Sequence, residues 1–94
     1  MNASELSGQR VCVTGASRGI GARACEVFAR EGAQVLGIAR SQDELAALRE
    51  RLTAQGLAFD FVGLDLTAPD AGKQLDRLFN DDVPDVFVNN AGAT

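Results

Sequence analysis

Apolar residues along this chain fall into short runs of strand type that alternate with longer stretches of helical spacing. The short runs predict four strands, at residues 10–14, 33–39, 57–62 and 85–89. Between them, apolar residues recur every three or four positions, as they do in an amphipathic helix. The resulting order, β-α-β-α-β-α-β, predicts a parallel sheet with right-handed crossovers and helices on both faces.

The three helices carry recognisable ends. The first is predicted over about residues 20–31, and the second begins after Ser41, because Ser41 and Glu44 have the S-x-x-E spacing of a capping box. The third is predicted to open at a Thr67 cap with Pro69 in its first turn. The predicted apolar sides are Ile20, Ala24, Val27 and Phe28; Leu45, Leu48 and Leu52; and Ala71, Leu75, Leu78 and Phe79.

Length, charge and composition limit the number of domains and the classes of partner that the chain can have. Its 94 residues suffice for one small domain, with residues 1–8 as a short polar lead and residues 9–94 as the domain. The net charge of −4 argues against a nucleic-acid surface. No apolar run reaches the length of a membrane helix, and the N-terminus lacks the pattern of a secretion signal.

The two cysteines, Cys12 and Cys25, fall in core-like positions of the first strand and the first helix. They lack metal-site or redox spacing and are interpreted as buried thiols of a reducing compartment. We therefore expect a cytoplasmic protein that binds no metal and no membrane.

The first strand runs directly into glycines at 15, 19 and 21, and a helix follows. A glycine turn that feeds a helix N-terminus suits phosphate, because the backbone can approach the anion and free N–H groups point at it. The spacing is G-x-x-x-G-x-G, which differs from the G-x-G-x-x-G of the standard dinucleotide fingerprint. Taken alone, an ordinary tight turn explains these glycines equally well.

The pattern also permits a flavodoxin-like strand order. The glycine turn after the first strand favours the Rossmann order 3-2-1-4, in a three-layer fold of which this chain is the first half. In that order the loops at 15–21 and 89–94 face each other across one crevice at the carboxyl ends of the strands.

Candidate ligand contacts follow the same edge. Folds that bind NAD place an acidic residue about 20 residues beyond the glycine turn, whereas this chain has Arg40 there. Arg40, Arg18 and the Ser41 hydroxyl could bind a 2′-phosphate, which predicts NADP in preference to NAD. Alternatively the two arginines are plain surface residues and Ser41 only caps a helix.

Two further groups lie at the ends of the third and fourth strands. Asp65 could accept a hydrogen bond from an adenine, with the Leu66 backbone against the ring, or it could only cap the following loop. Asn89-Asn-Ala-Gly92 offers donors, acceptors and room for a ribose, or it could be an asparagine-rich turn.

Taken together, Thr14-Gly-Ala-Ser-Arg-Gly-Ile-Gly21, Asp65 and Asn89-Asn-Ala-Gly92 resemble the short-chain dehydrogenase/reductase family, from about Gln9 onwards. The resemblance implies a Rossmann fold that binds NAD or NADP, with Asp65 at the adenine and Thr14 tied through its hydroxyl to the asparagine loop. Arg18 and Arg40 match the NADP-using members. The resemblance places Gly15, Ser17, Arg18, Gly19, Ile20 and Gly21 around the phosphates, and Asn90, Ala91 and Gly92 at the ribose next to the nicotinamide.

The family's catalytic serine, tyrosine and lysine, and a further asparagine, lie beyond the Asn-Asn-Ala-Gly motif. This chain has no tyrosine, no histidine and one lysine, Lys73 in the third helix. We therefore expect the NADP-binding portion of an oxidoreductase, truncated after the fourth strand, that reduces no carbonyl alone. The alternative is a stand-alone nucleotide-binding module that assembles with another chain.

The fourth strand is predicted to lie at one edge of the sheet. Its residues Val86, Phe87 and Val88 are apolar, and an exposed apolar edge is a template for pairing with another strand. We expect self-association through this edge, or low solubility.

Overall fold

The computed structural model describes residues 6–80 and 83–90, in which four parallel strands form one sheet of order β3-β2-β1-β4. This confirms the predicted Rossmann order. The elements are β1 (Arg10–Thr14), α1 (Gly19–Arg30), β2 (Gln34–Ala39), α2 (Gln42–Thr53), β3 (Phe59–Gly63), α3 (Ala71–Leu78) and β4 (Val86–Val88).

The strand register brings the carboxyl ends of the strands to one edge. Thr14 at the end of β1 pairs with Ile38, and Ala39 at the end of β2 pairs with Gly63 at the end of β3. The exit of β3 is held to β2 by a hydrogen bond of 2.9 Å from the Leu64 N–H to the Ala39 carbonyl oxygen. The segments that leave the three strands therefore emerge side by side.

The sheet has an apolar core on each face, as expected for a parallel sheet covered by helices. On one face Val11, Val13 and Val35 pack with the buried side of α1 and with Leu45, Leu48 and Leu52 of α2. On the other face Cys12 and Ile38 form a smaller cluster with residues at the exit of β3 and along α3. Alternate residues of β1 thus supply both cores.

The predicted apolar side of α1 is confirmed only for Phe28, which packs against the core. Ile20 is 77% exposed and Val27 is 42% exposed, whereas the buried residues of this helix are Gly21, Cys25 and Ala29. These three side chains are small, so the helix can lie close against the sheet. The hydrophobic pattern favoured the larger side chains. The side of α1 that is buried is instead the one whose small side chains let the helix lie close to the sheet.

The predicted cap of α2 is confirmed, because the Ser41 hydroxyl accepts a hydrogen bond of 3.3 Å from the Glu44 N–H. The predicted cap of the third helix is wrong. α3 begins at Ala71, and Thr67 lies in the preceding turn, where its hydroxyl donates to the Asp65 carboxylate at 2.6 Å. A local side-chain hydrogen bond of this kind competes with helix formation.

The core also extends before β1, since Leu6 in the predicted polar lead is only 4% exposed. Both cysteines are buried and free, as predicted. Burial raises the pKa of Cys12 to about 11 and that of Cys25 to about 12. Both groups therefore stay protonated at neutral pH, and a protonated thiol is a poor nucleophile.

Candidate functional site: a cleft at the carboxyl edge of the sheet

An open cleft of about 520 Å³ lies where β1, β2 and β3 end, and we call it the carboxyl-edge cleft. Ligands of open α/β sheets bind at this edge. Its lining residues are Gly15, Ser17, Arg18, Ile38, Ala39, Arg40, Ser41, Glu44, Leu64, Asp65, Leu66 and Thr67. The cleft therefore brings together predicted site residues from the exits of three different strands.

The glycine turn forms one wall of this cleft. Gly15 and Gly19 have φ angles of +64° and +61°, which only glycine adopts without strain. α1 starts at Gly19, and its preceding residue Arg18 makes no side-chain cap hydrogen bond. The first turn of α1 also contains no acidic residue, so the positive end of this helix is neither capped nor neutralised by its own side chains.

This geometry fits a phosphate group. The first hydrogen bond at the start of α1 runs from the Ala22 N–H to the Arg18 carbonyl oxygen, which leaves earlier N–H groups without a helical acceptor. A Cβ atom at Gly19 would meet no atom within 4 Å, so the space beside this turn is open. A dinucleotide's phosphates need such free donors and such space.

Gly21 lies where α1 passes closest to the turn that follows β1. It is buried, and a Cβ atom there would lie 2.0 Å from the Gly15 carbonyl oxygen and 2.8 Å from the Asn90 Nδ2. Gly21 therefore allows α1 to pack against the turn that follows β1. Its contacts lie within the protein, and its direct role at the phosphates stays a prediction.

Thr14 ties β1 to the segment after β4, as the resemblance implied. Its hydroxyl accepts a hydrogen bond of 2.8 Å from the Asn90 N–H and donates to the Asn89 Oδ1 at 3.1 Å. The Asn90 side-chain amide also donates to the Gly15 carbonyl oxygen at 3.3 Å. Asn90 thus positions the glycine turn; the predicted residues Ala91 and Gly92 lie outside the described residues.

The basic residues lie at the end of the cleft formed by the turn after β1 and the exit of β2. Arg18 and Arg40 are both exposed and both line the cleft with Ser41. Because the Ser41 oxygen accepts the Glu44 N–H, the hydroxyl proton of Ser41 is available to a ligand. These groups offer two guanidinium forks and one hydroxyl donor to an anion.

Asp65 is held by the residue that follows it by two positions. The Thr67 hydroxyl and the Thr67 N–H both donate to its Oδ1, at 2.6 and 2.9 Å. These two hydrogen bonds, with the positive charge of Arg40, hold the pKa of the Asp65 carboxyl below its ordinary value. Asp65 is therefore an ionised acceptor whose orientation is fixed where it lines the cleft.

Ile38, Leu64 and Glu44 also line the cleft, although none of them was predicted as a site residue from the sequence. Ile38 and Leu64 are the apolar ends of two strand exits, and the strand pattern itself could have suggested them. Glu44 was interpreted only as part of a capping box. Ile20 and Gly19, by contrast, were predicted and do not line this cleft, although both lie on the exposed first turn of α1.

Residues 6–80 and 83–90 contain neither a membrane-spanning helix nor a metal-binding cluster. None of the helices there is long and apolar enough to cross a membrane. In the same stretch of chain, no group of three or more His, Cys, Asp or Glu residues could hold a metal ion.

Solved structures share this fold. One is the L-sorbose reductase of Gluconobacter frateurii, solved with NADPH and L-sorbose. It superposes with a TM-score of 0.82 at 32% identity, over 93% of this chain and 34% of that one. Another is a 3-oxoacyl (acyl-carrier-protein) reductase of Agrobacterium tumefaciens with NADP bound, at a TM-score of 0.77 and 34% identity, over 87% of this chain and 32% of that one.

Sequence comparison agrees. A 3-oxoacyl-[acyl-carrier-protein] reductase of Vibrio harveyi is 37% identical over 91 residues, which cover 95% of this chain and 36% of that protein. The chain thus spans about a third of the length of these relatives. The sequence profile of the short chain dehydrogenases matches residues 9–94. With the 3-2-1-4 sheet and the glycine turn in place, the chain belongs to the short-chain dehydrogenase/reductase family.

Proposed function

We propose that this chain binds NADP(H) in the carboxyl-edge cleft, in preference to NAD(H). The observation that carries the proposal is that Arg18, Arg40 and Ser41 line one cleft, while the end of β2 has no acidic residue. An acidic residue at that position accepts from the 2′-hydroxyl of NAD and would repel a 2′-phosphate. A pair of arginines instead favours the phosphate.

Different groups of the described residues would bind different parts of the cofactor. The first turn of α1 and the loop from Gly15 would hold the pyrophosphate through backbone N–H groups. Arg18, Arg40 and Ser41 would hold the 2′-phosphate. Asp65, whose orientation is fixed by Thr67, would accept from the adenine amino group, and Leu66 would lie against the ring.

In a larger protein this cofactor site would serve hydride transfer between a nicotinamide and a carbonyl or alcohol. The bound nicotinamide supplies that hydride chemistry. The residues of this chain would bind and orient the adenosine end of the cofactor. In the family that the chain resembles, a tyrosine passes the proton to the carbonyl oxygen; the 94 residues contain no tyrosine, so we assign them no part in that proton transfer.

The proposal is tested by titration calorimetry with 2′-phospho-ADP-ribose and ADP-ribose, which differ only in the 2′-phosphate. We expect the phosphorylated ligand to bind about 10- to 100-fold more tightly, because two charge-assisted contacts are added. NADP should bind about as well as 2′-phospho-ADP-ribose, since residues 15–66 form the adenosine side. Equal affinities for the matched pair would refute the assignment of Arg18 and Arg40.

Two further expectations, about location and about association, stay predictions. One is a cytoplasmic location. The other is pairing through the edge of the sheet, where Phe87 of β4 is 47% exposed and β4 pairs only with β1 among the strands described. The stand-alone nucleotide-binding module also stays a hypothesis.

A further inference from the structure

Glu44 is a carboxylate in the part of the cleft that is otherwise built for an anion. It is half-buried in the first turn of α2 and lines the cleft together with Arg18, Arg40 and Ser41. It also lines the neighbouring groove between α1 and α2, again with Arg18. Glu44 therefore shares the carboxyl-edge cleft with Arg18 and Arg40, and it shares the neighbouring groove with Arg18.

The Glu44 side chain is not committed to capping the helix. Its backbone N–H donates to Ser41, but its carboxylate makes no hydrogen bond and no ion pair with any residue in 6–80 or 83–90. The reciprocal half of the predicted capping box is thus not formed there. Charges at half-buried positions are less screened by salt than exposed ones.

A negative charge at this position opposes a dianionic ligand. A 2′-phosphate held by Arg18, Arg40 and Ser41 would lie in the cleft that Glu44 also lines, and like charges within one cleft repel. The 2′-hydroxyl of NAD carries no charge and would not be affected in this way. Glu44 therefore acts on the difference between the two cofactors.

We propose that Glu44 is a specificity-determining residue that weakens binding of the 2′-phosphate and so limits the preference for NADP. The inference rests on the proposed function, since it needs the 2′-phosphate in this cleft. In this arrangement the two arginines make NADP bind more tightly than NAD, and Glu44 limits the ratio of the two affinities.

The test compares Glu44→Gln with a matched control, Asp43→Asn. Both changes remove one negative charge from the first turn of α2, but Asp43 is exposed and does not line the cleft. Neither change touches the Ser41 cap, which uses the Glu44 backbone N–H. Affinities for 2′-phospho-ADP-ribose and ADP-ribose are measured by calorimetry for wild type and both variants.

We expect Glu44→Gln to bind 2′-phospho-ADP-ribose about 3- to 10-fold more tightly, with less than about twofold change for ADP-ribose. Asp43→Asn should change both affinities by less than about twofold. An unchanged ratio in Glu44→Gln, or the same gain in Asp43→Asn, overturns this inference alone when wild type prefers the phosphorylated ligand. If wild type shows no such preference, the proposed function fails and the inference fails with it.

Discussion

Replacing Arg40 with aspartate is expected to abolish the preference for NADP over NAD. The change removes a guanidinium from the carboxyl-edge cleft and places a carboxylate at the end of β2, where NAD-binding folds carry one. Loss of a charge-assisted contact costs about 1.5–3 kcal/mol, so NADP should bind about 10- to 100-fold more weakly. NAD should bind somewhat more tightly, because the new carboxylate can accept from its 2′-hydroxyl.

The matched control is Arg77→Asp. Arg77 lies in the last turn of α3 and does not line the cleft, yet the change alters net charge by the same amount. Calorimetry with NADP and NAD should give an unchanged ratio for this control. If Arg40→Asp keeps the wild-type ratio, or if Arg77→Asp shifts it equally, Arg40 does not read the 2′ position.

The second large effect is expected at Gly21. A methyl group there would lie 2.0 Å from the Gly15 carbonyl oxygen, a contact that cannot be relieved by turning a side chain. We expect Gly21→Ala to lower the free energy of unfolding by at least about 3 kcal/mol, at the upper end of the usual cost of overpacking. Denaturant unfolding measures it, and failure to fold is the extreme form of the same result.

Gly72 provides the control for this substitution. It lies in α3, and a Cβ atom there would meet no atom within 4 Å. Gly72→Ala should therefore be neutral or stabilise by up to about 1 kcal/mol, because alanine is the better helix former. A Gly21→Ala protein as stable as wild type would show that α1 does not pack on the glycine turn as described.

The fold followed from the sequence because its signals are local. Apolar runs, a serine cap and a glycine turn each act within a few residues, and the crossover rule converts their order into a sheet. The buried side of α1 did not follow. Gly21, Cys25 and Ala29 are weakly hydrophobic, and their burial depends on how closely the helix approaches the sheet. That distance is a property of the packed structure.

The candidate site was predictable to a similar degree. Arg18, Arg40 and Asp65 lie in the segments that follow β1, β2 and β3, and the strand order alone places these segments together. The hydrogen bonds of Thr67 to Asp65 and the contact of Glu44 with the cleft were not predictable, because each residue also fitted a helix-capping pattern. The same residue type in the same pattern can cap a helix or line a cleft, and only the packed structure distinguishes the two roles.

We propose that NADP binds at the carboxyl edge of the sheet and at no other place on the chain. Amide chemical-shift mapping of the chain titrated with NADP distinguishes this edge from the rest of the surface. We predict the largest shifts at residues 15–21, at Arg40 and Ser41, and at Asp65 and Leu66. The opposite edge offers a smaller hollow of about 310 Å³, lined by Arg10, Gln34 and Asp60 among others. Shifts concentrated there, with none in the glycine turn, would contradict the claim.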